Sequence, residues 1–291
     1  MTTVADVRMT HAPDTTDSIR ALDGSPKRIR VSPYFRWKGL LGRVLAAALL
    51  VPGLPIILTL VALVRLTSPG PGIYRQLRVG RHGGTFYMYK IRTMRNDAET
   101  QLGPTWTIQN DPRITWLGHW LRKLHLDEFP QLFNVLRGEM TLIGPRPERP
   151  EFTQVLAREI PGYLDRLAVW PGITGLAQIN LPPDTDLDSV RRKLVLDLEY
   201  VQHARPLLDL RMFASTLLRM LGLRGEYAMR VMKLQRFVTI PMLDHGQGGV
   251  QQHRTPDSIA PAPVAHEKNG SAPHKGAVKP PHSVGNRLRI K

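Results

Sequence analysis

The sequence predicts a mostly helical α+β protein that carries one small β-hairpin and one apolar segment of membrane length. Apolar residues recur at helical spacing in several later segments, which favours helices there. Two short strand-like segments flank a glycine-rich loop, which is typical of a hairpin. In the stretch 44–64 none of the 21 residues is charged. A helix of that length, at ~1.5 Å per residue, would reach about 31 Å and could cross a bilayer.

The apolar stretch carries a break signal in its middle. Pro52, Gly53 and Pro55 divide it into halves that are each too short to cross a bilayer. Basic residues flank it on both sides, with Arg36, Lys38 and Arg43 before it and Arg65, Arg75, Arg78 and Arg81 after it. If basic residues stay cytoplasmic, both ends lie on one face. A re-entrant, proline-broken helix and a proline-kinked spanning helix both remain open, while a buried core helix is disfavoured because the run is apolar all round.

The next elements follow from local patterns after a turn-rich segment, 68–72. Residues 73–77 and 85–91 are predicted strands. The loop 80–84 between them is either a simple hairpin loop or a cradle of backbone amides for phosphate. Three further helices are predicted on apolar stripes, namely Ile114, Leu117, Leu121 and Leu124, then Leu187, Val190, Leu194, Leu198 and Val201, then Leu207, Leu210, Phe213, Leu217 and Leu221. Asp184, Asp186 and Asp188 are candidate caps for the second of these.

A last segment alternates apolar and basic residues at helical spacing. Its apolar positions are Tyr227, Val231, Leu234 and Phe237, and its basic positions are Arg230, Lys233 and Arg236. This pattern predicts a basic amphipathic helix on a membrane surface, or else a surface helix of a soluble core.

Two adjacent acids, Asp127 and Glu128, stand at the predicted start of a short helix. Pro130 fits only the first turn of that helix and Gly138 is a plausible stop, while Leu132, Val135 and Leu136 supply its buried face. The positive end of the helix would then attract phosphate. An acidic pair is also common as a solvated helix cap, so the pair alone does not define a site.

Composition limits the organisation and the partners of the chain. The net charge of +16 and the pI near 10.6 require an anionic partner, which could be nucleic acid, anionic lipid or a phosphorylated substrate. Without cysteine there is no disulfide, thiolate metal site or cysteine nucleophile. The expected organisation is a disordered N-terminal tail (1–33), a membrane helix (34–67), a cytoplasmic domain (68–242) and a disordered basic C-terminal tail (243–291). A cleavable signal peptide is not expected.

Several separate blocks together resemble the bacterial sugar transferases of the monotopic phosphoglycosyl transferase family. Besides the Asp127-Glu128 segment, the blocks are Ser68-Pro69-Gly70-Pro71, Arg75-Gln76 with Arg78-Val79-Gly80, Lys90-Ile91-Arg92-Thr93-Met94, Asp111-Pro112-Arg113, Ile143-Gly144-Pro145-Arg146-Pro147, and Pro171-Gly172-Ile173-Thr174-Gly175-Leu176-Ala177-Gln178. The resemblance covers residues 38–221 and implies a monotopic protein with a re-entrant membrane helix broken at Pro55.

The resemblance also implies the reaction. A sugar 1-phosphate passes from a UDP-sugar to a polyprenol phosphate, UMP is released, and glycoconjugate or exopolysaccharide assembly begins at the cytoplasmic face of the inner (plasma) membrane. Asp127 is implied as the nucleophile that forms a covalent phosphosugar intermediate, and Glu128 as a ligand of the required Mg²⁺. Downstream glycosyltransferases are possible partners.

The resemblance assigns further residues to the site. Lys90, Arg92, Arg122 and Arg146 match basic positions that would clamp phosphate oxygens. Asp197, Gly172 and Thr174 are additional candidates, and for Asp197 structural pairing is an equal alternative. The chain departs from the family pattern at Gly39 and Gly42, where many relatives carry Arg and Asp, and at Trp170, which replaces a basic residue. That last change implies a lost or moved phosphate contact.

Two other functions remain open from the residues. One is a non-catalytic, basic, membrane-associated protein that binds anionic lipid or nucleic acid by charge. Nucleic-acid binding would predict aromatic stacking residues among the basic ones and a soluble chain, and the apolar segment argues against it. The other is a transferase with the same donor and a different lipid or protein acceptor. The sugar, the polyprenol length and the oligomeric state do not follow from the sequence.

Overall fold

The computed structural model describes residues 29–98 and 111–238. The fold is mostly helical, with two small two-stranded sheets and one long apolar N-terminal helix. Most of the predicted N-terminal tail and all of the predicted C-terminal tail lie outside the described residues. The helices are α1 (Phe35–Thr67), α2 (Trp116–Lys123), α3 (Gln131–Arg137), α4 (Pro150–Glu159), α5 (Leu176–Asn180), α6 (Leu187–His203), α7 (Pro206–Met220) and α8 (Gly225–Val231), and the strands are β1 (Ile73–Val79), β2 (Thr85–Ile91), β3 (Thr141–Ile143) and β4 (Gly172–Thr174).

Helix α1 continues through the predicted break. Pro52 and Pro55 both lie inside it. The predicted division of the helix into two separate halves is therefore wrong, because the backbone stays helical through both prolines. Each proline removes only its own N–H bond, and the two stand within one turn, which confines the loss. The Thr59 hydroxyl also donates a hydrogen bond to the Pro55 carbonyl at 2.9 Å. Pairing of this kind tends to bend a helix without ending it.

Helix α1 packs along its whole length against the rest of the fold. Its buried positions recur every three or four residues at Phe35, Lys38, Gly42, Ala46, Leu50, Gly53 and Ile57, and Val64 follows two turns later on the same face. The middle of this stripe joins the main core beside Leu132 and Val135 of α3, and Val64 joins a smaller core with Ile91 and Leu121. The opposite face is apolar and exposed. By length and composition α1 could cross a membrane.

Polar contacts fix the first turns of α1. Lys38 is buried, and its ammonium donates to the Tyr200 hydroxyl of α6 and the Asp209 carboxylate of α7. Tyr200 in turn donates to Asp209 at 2.6 Å. Ser32, assigned to the tail by the sequence, is buried and donates to the Val201 and Ala204 carbonyls. These contacts join the segment just before α1 to the end of α6.

The predicted hairpin is confirmed, with β1 and β2 antiparallel from the Ile73 and Ile91 pair to the Val79 and Thr85 pair. Asn134 of α3 binds the outer edge of β2. Its Nδ2 donates to the Tyr87 carbonyl at 2.7 Å, and its Oδ1 accepts from the Tyr89 N–H at 3.1 Å. The side-chain amide therefore satisfies backbone groups that a third strand would otherwise pair. This contact fixes α3 beside Lys90, the residue that follows Tyr89.

A second, parallel pair joins two sequence blocks that lie far apart in the chain. Thr141 of β3 pairs with Gly172 of β4, and Ile143 pairs with Thr174. A side chain at Gly172 would collide with the Gly144 backbone, so glycine is required for this close approach. The sequence did not predict these strands, nor helices α4 and α5, because each strand has only three residues and no alternating pattern.

The later helices agree with the sequence in part. Asp186 caps α6 as expected, because its carboxylate accepts from the Ser189 N–H at 2.7 Å and Ser189 closes a reciprocal capping box. The basic amphipathic helix predicted through Phe237 is wrong beyond α8, which ends at Val231. Lys233 has a positive φ of 53° and interrupts the helix, and Leu234 then turns into the core.

Replacing Asn134 with Ala should destabilise the fold. The Tyr87 carbonyl and the Tyr89 N–H of β2 would lose their hydrogen-bond partner where Asn134 is now buried. We therefore expect a loss of about 2–4 kcal/mol in the free energy of unfolding. Urea unfolding of the purified chain measures it. Gln154→Ala on the partly exposed face of α4 is the control and should change stability by less than about 0.5 kcal/mol. Equal stability of both variants would contradict the role of Asn134.

Candidate active site

The acidic pair lies in a tight turn between α2 and α3. Leu126–Glu128 form one turn of 3-10 helix, and α3 begins at Gln131 after Pro130. The pair thus precedes α3, whereas the sequence placed it at the helix start itself. Gly138 ends α3 in the left-handed conformation, φ 79°, as predicted. His125 before the turn is also left-handed, φ 55°, a conformation that histidine tolerates better than most residues.

The two carboxylates have different environments. Both ion pairs of Glu128 fall on Oε1, with Lys90 Nζ at 3.1 Å and Arg146 Nη2 at 2.7 Å. Asp127 is 6% exposed, and no hydrogen bond or ion pair reaches its carboxylate from the described residues. Lys90, Arg122 and Arg146 nevertheless act on it through space.

These environments shift the two pKa values in opposite directions. Burial, reinforced by the adjacent Glu128 carboxylate, raises the pKa of Asp127. Burial alone would also raise the pKa of Glu128, but Arg146 and Lys90 outweigh it and hold that pKa far below the ordinary value. Two neighbouring carboxylates of unequal pKa are the arrangement by which an active site gives two acids different roles.

A cavity of about 770 Å³ opens over the pair. Among the described residues its lining includes ten Lys or Arg side chains and four Asp or Glu side chains. Such an excess of positive charge suits a ligand with several negative charges, such as a diphosphate. The volume is that of an ordinary small-molecule site.

Three of the four predicted phosphate-binding residues meet at the pair. Lys90 comes from β2, Arg146 follows β3, and Arg122 lies near the end of α2. All three line the cavity. Arg122 is positioned by a hydrogen bond from its Nε to the Thr93 hydroxyl at 2.8 Å.

The fourth predicted residue, Arg92, is engaged elsewhere. Although it borders the cavity, its guanidinium donates to the Pro69 carbonyl at 2.5 Å and the Ser68 carbonyl at 2.7 Å. Gly70, φ 110°, makes room for this contact, because a Cβ there would collide with the guanidinium. Arg92 thus fixes the link between α1 and β1, and phosphate binding by it stays a prediction.

Asp197, Gly172 and Thr174 lie outside the cavity lining. Asp197 is buried and forms an ion pair with Arg166 at 2.6 Å, both side chains being 2% exposed. Arg166 also donates to the backbone carbonyl of Arg146 at 2.7 Å. Asp197 is therefore linked to the backbone of Arg146 through Arg166. Sequence reasoning missed Arg166, since it lies in a segment without a recognised motif.

A second charged cluster, also missed from the sequence, lines the cavity away from the acidic pair. Glu148 binds Arg78 at 3.1 Å and Lys193 at 3.5 Å, and Lys193 binds Asp184 at 2.5 Å. Burial opposes ionisation of Glu148, but Lys193 and Arg78 prevail and lower its pKa to about 2. The only sequence signal was Arg78 within a family block. The cluster ties β1 and α6 to the segment that carries Arg146.

The departures from the family pattern at residues 39 and 170 meet in space. A Cβ at Gly39 would lie 3.8 Å from the Trp170 ring, and the Arg81 guanidinium lies 4.0 Å above that ring. None of the three lines the large cavity. The expected loss of a phosphate contact through Trp170 therefore does not concern the acidic pair. Gly42, the other departure, faces Val135.

The fit of Mg²⁺ can be judged from the donors present. No group of three His, Asp or Glu side chains that could cage a metal occurs in residues 29–98 and 111–238. Mg²⁺ generally uses one or two carboxylates together with substrate phosphates and water. Glu128 Oε2 and the Asp127 carboxylate supply such oxygens at the cavity, since both cations bind Glu128 through Oε1. The donors fit.

An acidic pair surrounded by cations, next to an apolar helix of membrane length, is the arrangement expected of a membrane-associated enzyme that acts on a phosphorylated substrate. The family model described as bacterial sugar transferase matches residues 34–222. The chain belongs to this family, which confirms the predicted family and enzyme class.

Relatives with curated names agree. The chain is 47% identical over 131 residues to a Bacillus subtilis (strain 168) protein provisionally named as an undecaprenyl-phosphate N-acetylgalactosaminyl 1-phosphate transferase, covering 45% of this chain and 69% of the relative. It is 41% identical over 188 residues to the undecaprenyl-phosphate glucose phosphotransferase of Komagataeibacter xylinus, covering 62% of this chain and 35% of the relative. It is 38% identical over 193 residues to the UDP-glucose:undecaprenyl-phosphate glucose-1-phosphate transferase of Caulobacter vibrioides (strain ATCC 19089 / CIP 103742 / CB 15), covering 63% and 70%. The match thus spans only about a third of the Komagataeibacter protein.

Replacing Asp197 with Asn should strongly destabilise the protein. Arg166 would stay buried without a compensating charge, and breaking a buried pair in this way costs about 3–5 kcal/mol. Denaturant unfolding of the full chain measures the loss. Asp188→Asn on the same helix removes an exposed pair with Arg191 and should cost at most about 0.5 kcal/mol. Similar losses in both variants would mean that burial of the Asp197 pair is unimportant.

Proposed function

We propose that the protein transfers a sugar 1-phosphate from a UDP-sugar to a polyprenol phosphate and releases UMP, through a covalent intermediate on Asp127. The observation that carries the proposal is the unequal pair. Among the described residues the Asp127 carboxylate has no hydrogen-bond or ion-pair partner although three cations lie nearby, while Glu128 is held by two of them. The names of the relatives support undecaprenyl phosphate as the acceptor. Because those names include both N-acetylgalactosaminyl and glucose transferases, the sugar stays open.

In the first step an Asp127 carboxylate oxygen attacks the phosphorus that carries the sugar. The bond to the bridging oxygen breaks, and UMP leaves with the electron pair of that bond. Lys90, Arg122 and Arg146 lie where they offset the repulsion between the carboxylate and the diphosphate. A raised pKa makes the Asp127 carboxylate more basic and therefore a better nucleophile once it is ionised.

In the second step a phosphate oxygen of the polyprenol phosphate attacks the same phosphorus. The acyl phosphate bond breaks, the Asp127 carboxylate is restored, and the polyprenyl-diphosphate sugar leaves. Lys90, Arg122 and Arg146 serve in both steps, because in both steps the negative charge develops on oxygens bound to the same phosphorus. The phosphate acceptor is already ionised at neutral pH, so the chain need not supply a strong base for it.

Bound Mg²⁺ would neutralise charge on the diphosphate oxygens, with Glu128 Oε2 and substrate oxygens as ligands. Glu128 suits this role because its low pKa keeps it ionised. Lys90 and Arg146 orient the carboxylate by occupying Oε1.

The packing of α1 supports a monotopic, re-entrant seating at the cytoplasmic face of the inner membrane. The beginning of α1 is fixed to α6 and α7 through Lys38, while its last turn packs through Val64 on Ile91 and Leu121. Both ends of the helix therefore contact the same fold, which also carries the site for a cytoplasmic nucleotide sugar. A spanning helix would place one end on the other side of the bilayer.

Replacing Asp127 with Asn should abolish turnover, with UMP release falling by roughly three orders of magnitude or more, because the amide is not a nucleophile. UMP is measured from a UDP-sugar and polyprenol phosphate with the purified chain. Asp188→Asn, an equal change on the exposed face of α6, is the control and should keep full activity. Full activity of the Asp127 variant would exclude the proposed mechanism.

The covalent intermediate has its own kinetic consequence. Without polyprenol phosphate, the wild-type chain should release a burst of about one UMP per enzyme and then stop, because the acyl phosphate waits for its acceptor. Rapid quench with UDP-sugar alone measures the burst. Release that begins only when the lipid is added would indicate direct transfer within a ternary complex.

The re-entrant seating predicts where the two ends of the chain lie. Single cysteines placed before residue 33 and after residue 242 should both react only with a reagent applied from the cytoplasmic side of membrane vesicles. The natural chain has no cysteine, so each introduced thiol is the sole reporter. Labelling of one end from the outside would show that α1 spans the bilayer.

A further inference from the structure

A second cavity, the arginine cavity, lies between the beginning of α1 and the end of α3. Its volume is about 130 Å³, and its walls include Arg36, Leu40 and Arg43 of α1 together with Gly138 and Trp170. It shares no lining residue with the cavity over the acidic pair. The reaction site therefore does not account for it.

The charges at this cavity are uncompensated within the described residues. Arg36 and Arg43 stand seven positions apart on one face of α1, and neither guanidinium group forms a hydrogen bond or ion pair with residues 29–98 or 111–238. No acidic residue of these ranges lines the cavity. Arg81 does not line the cavity, but its guanidinium lies over the Trp170 ring, which does. Convergent guanidinium groups without a carboxylate favour an oxyanion ligand, and phosphate suits their planar fork.

The cavity opens on an apolar surface. Leu40 lines it and is 65% exposed, and Trp37 and Val44 on neighbouring positions are 73% and 60% exposed. A soluble anion would gain nothing from this rim. A lipid would place its phosphate on the arginines and its acyl chains along the leucine and valine side chains. The indole of Trp170 suits the boundary between the two regions.

We propose that the arginine cavity binds the phosphate of an anionic phospholipid, such as phosphatidylglycerol, and so holds the first half of α1 at the headgroup plane. This inference rests on the proposed membrane seating of α1. It adds a lipid selectivity that the apolar face alone would not provide, since that face interacts equally with neutral and anionic bilayers.

The test is co-sedimentation of the full chain with vesicles. One set contains phosphatidylcholine alone, and the other mixes phosphatidylglycerol with it. Arg36→Gln/Arg43→Gln should bind the mixed vesicles roughly 25-fold more weakly than the wild type, a factor of roughly five for each cation, and should bind neutral vesicles unchanged. Arg158→Gln/Arg192→Gln, which removes two cations from α4 and α6, is the matched control and should bind both sets like the wild type.

Lysine variants separate a phosphate site from diffuse charge attraction. Arg36→Lys/Arg43→Lys keeps both charges but loses the planar forks, so its binding to mixed vesicles should also fall, by several-fold. Full binding by the lysine variant would overturn the proposal. Equal losses in the Arg158 and Arg192 control would overturn it too. Because Arg43 packs over Gly138, Arg36→Gln alone is measured as well, and a loss of roughly fivefold is expected.

Activity measurements distinguish this site from the substrate site. In detergent without phosphatidylglycerol, the Arg36→Gln/Arg43→Gln variant should release UMP with unchanged kcat and unchanged KM for polyprenol phosphate. A raised KM would mean that the cavity binds the acceptor lipid, which would overturn the proposal. If the wild type binds neither kind of vesicle, both the proposed membrane association of α1 and this inference are wrong. If the wild type binds neutral and mixed vesicles equally well, only this inference is wrong.

Discussion

The structure depends on one shared carboxylate oxygen. Glu128 Oε1 accepts from Lys90 of the hairpin and from Arg146 after β3, so three segments that are distant in sequence meet at one atom. Because all three groups are largely removed from water, each charge needs the others, and a shift of any segment would leave a buried ion uncompensated. Two further residues hold these segments in place. Asn134 fixes α3 on the hairpin, and Arg166 holds the Arg146 backbone.

The sequence predicted correctly those features that a few adjacent residues determine, and it missed those that depend on contacts between distant parts of the chain. The hairpin, the cap at Asp186 and the stop at Gly138 were correct because a few adjacent residues determine them. The parallel pair of β3 and β4 was missed because its two strands have only three residues each and lie about thirty residues apart, so no local pattern indicates the pairing. For the site, a resemblance could name Lys90, Arg122 and Arg146 but could not show that Arg92 holds backbone carbonyls, since that depends on the path of the chain at Gly70.

Helix α1 shows the same limit in a different way. Its residues are apolar on every side, so periodicity could not indicate which face packs on the protein and which is left for lipid. The two prolines suggested a break, but tertiary contacts on both sides of them keep one continuous helix. The polar anchor at Lys38 could not be foreseen either, because its partners Tyr200 and Asp209 belong to helices far along the chain. Packing with distant residues decided both questions.

The arrangement also explains how two acids can stand in a site for an anionic substrate. Glu128 is compensated by Lys90 and Arg146, so it adds little net repulsion toward a diphosphate. Asp127 forms no ion pair within residues 29–98 and 111–238, and its raised pKa means that burial, more than neighbouring charge, governs its ionisation. The remaining excess of cations in the cavity is then available to the substrate. The oxygens of a diphosphate in the cavity would bind these Lys and Arg side chains. The Asp127 carboxylate would then face phosphorus, as nucleophilic attack requires.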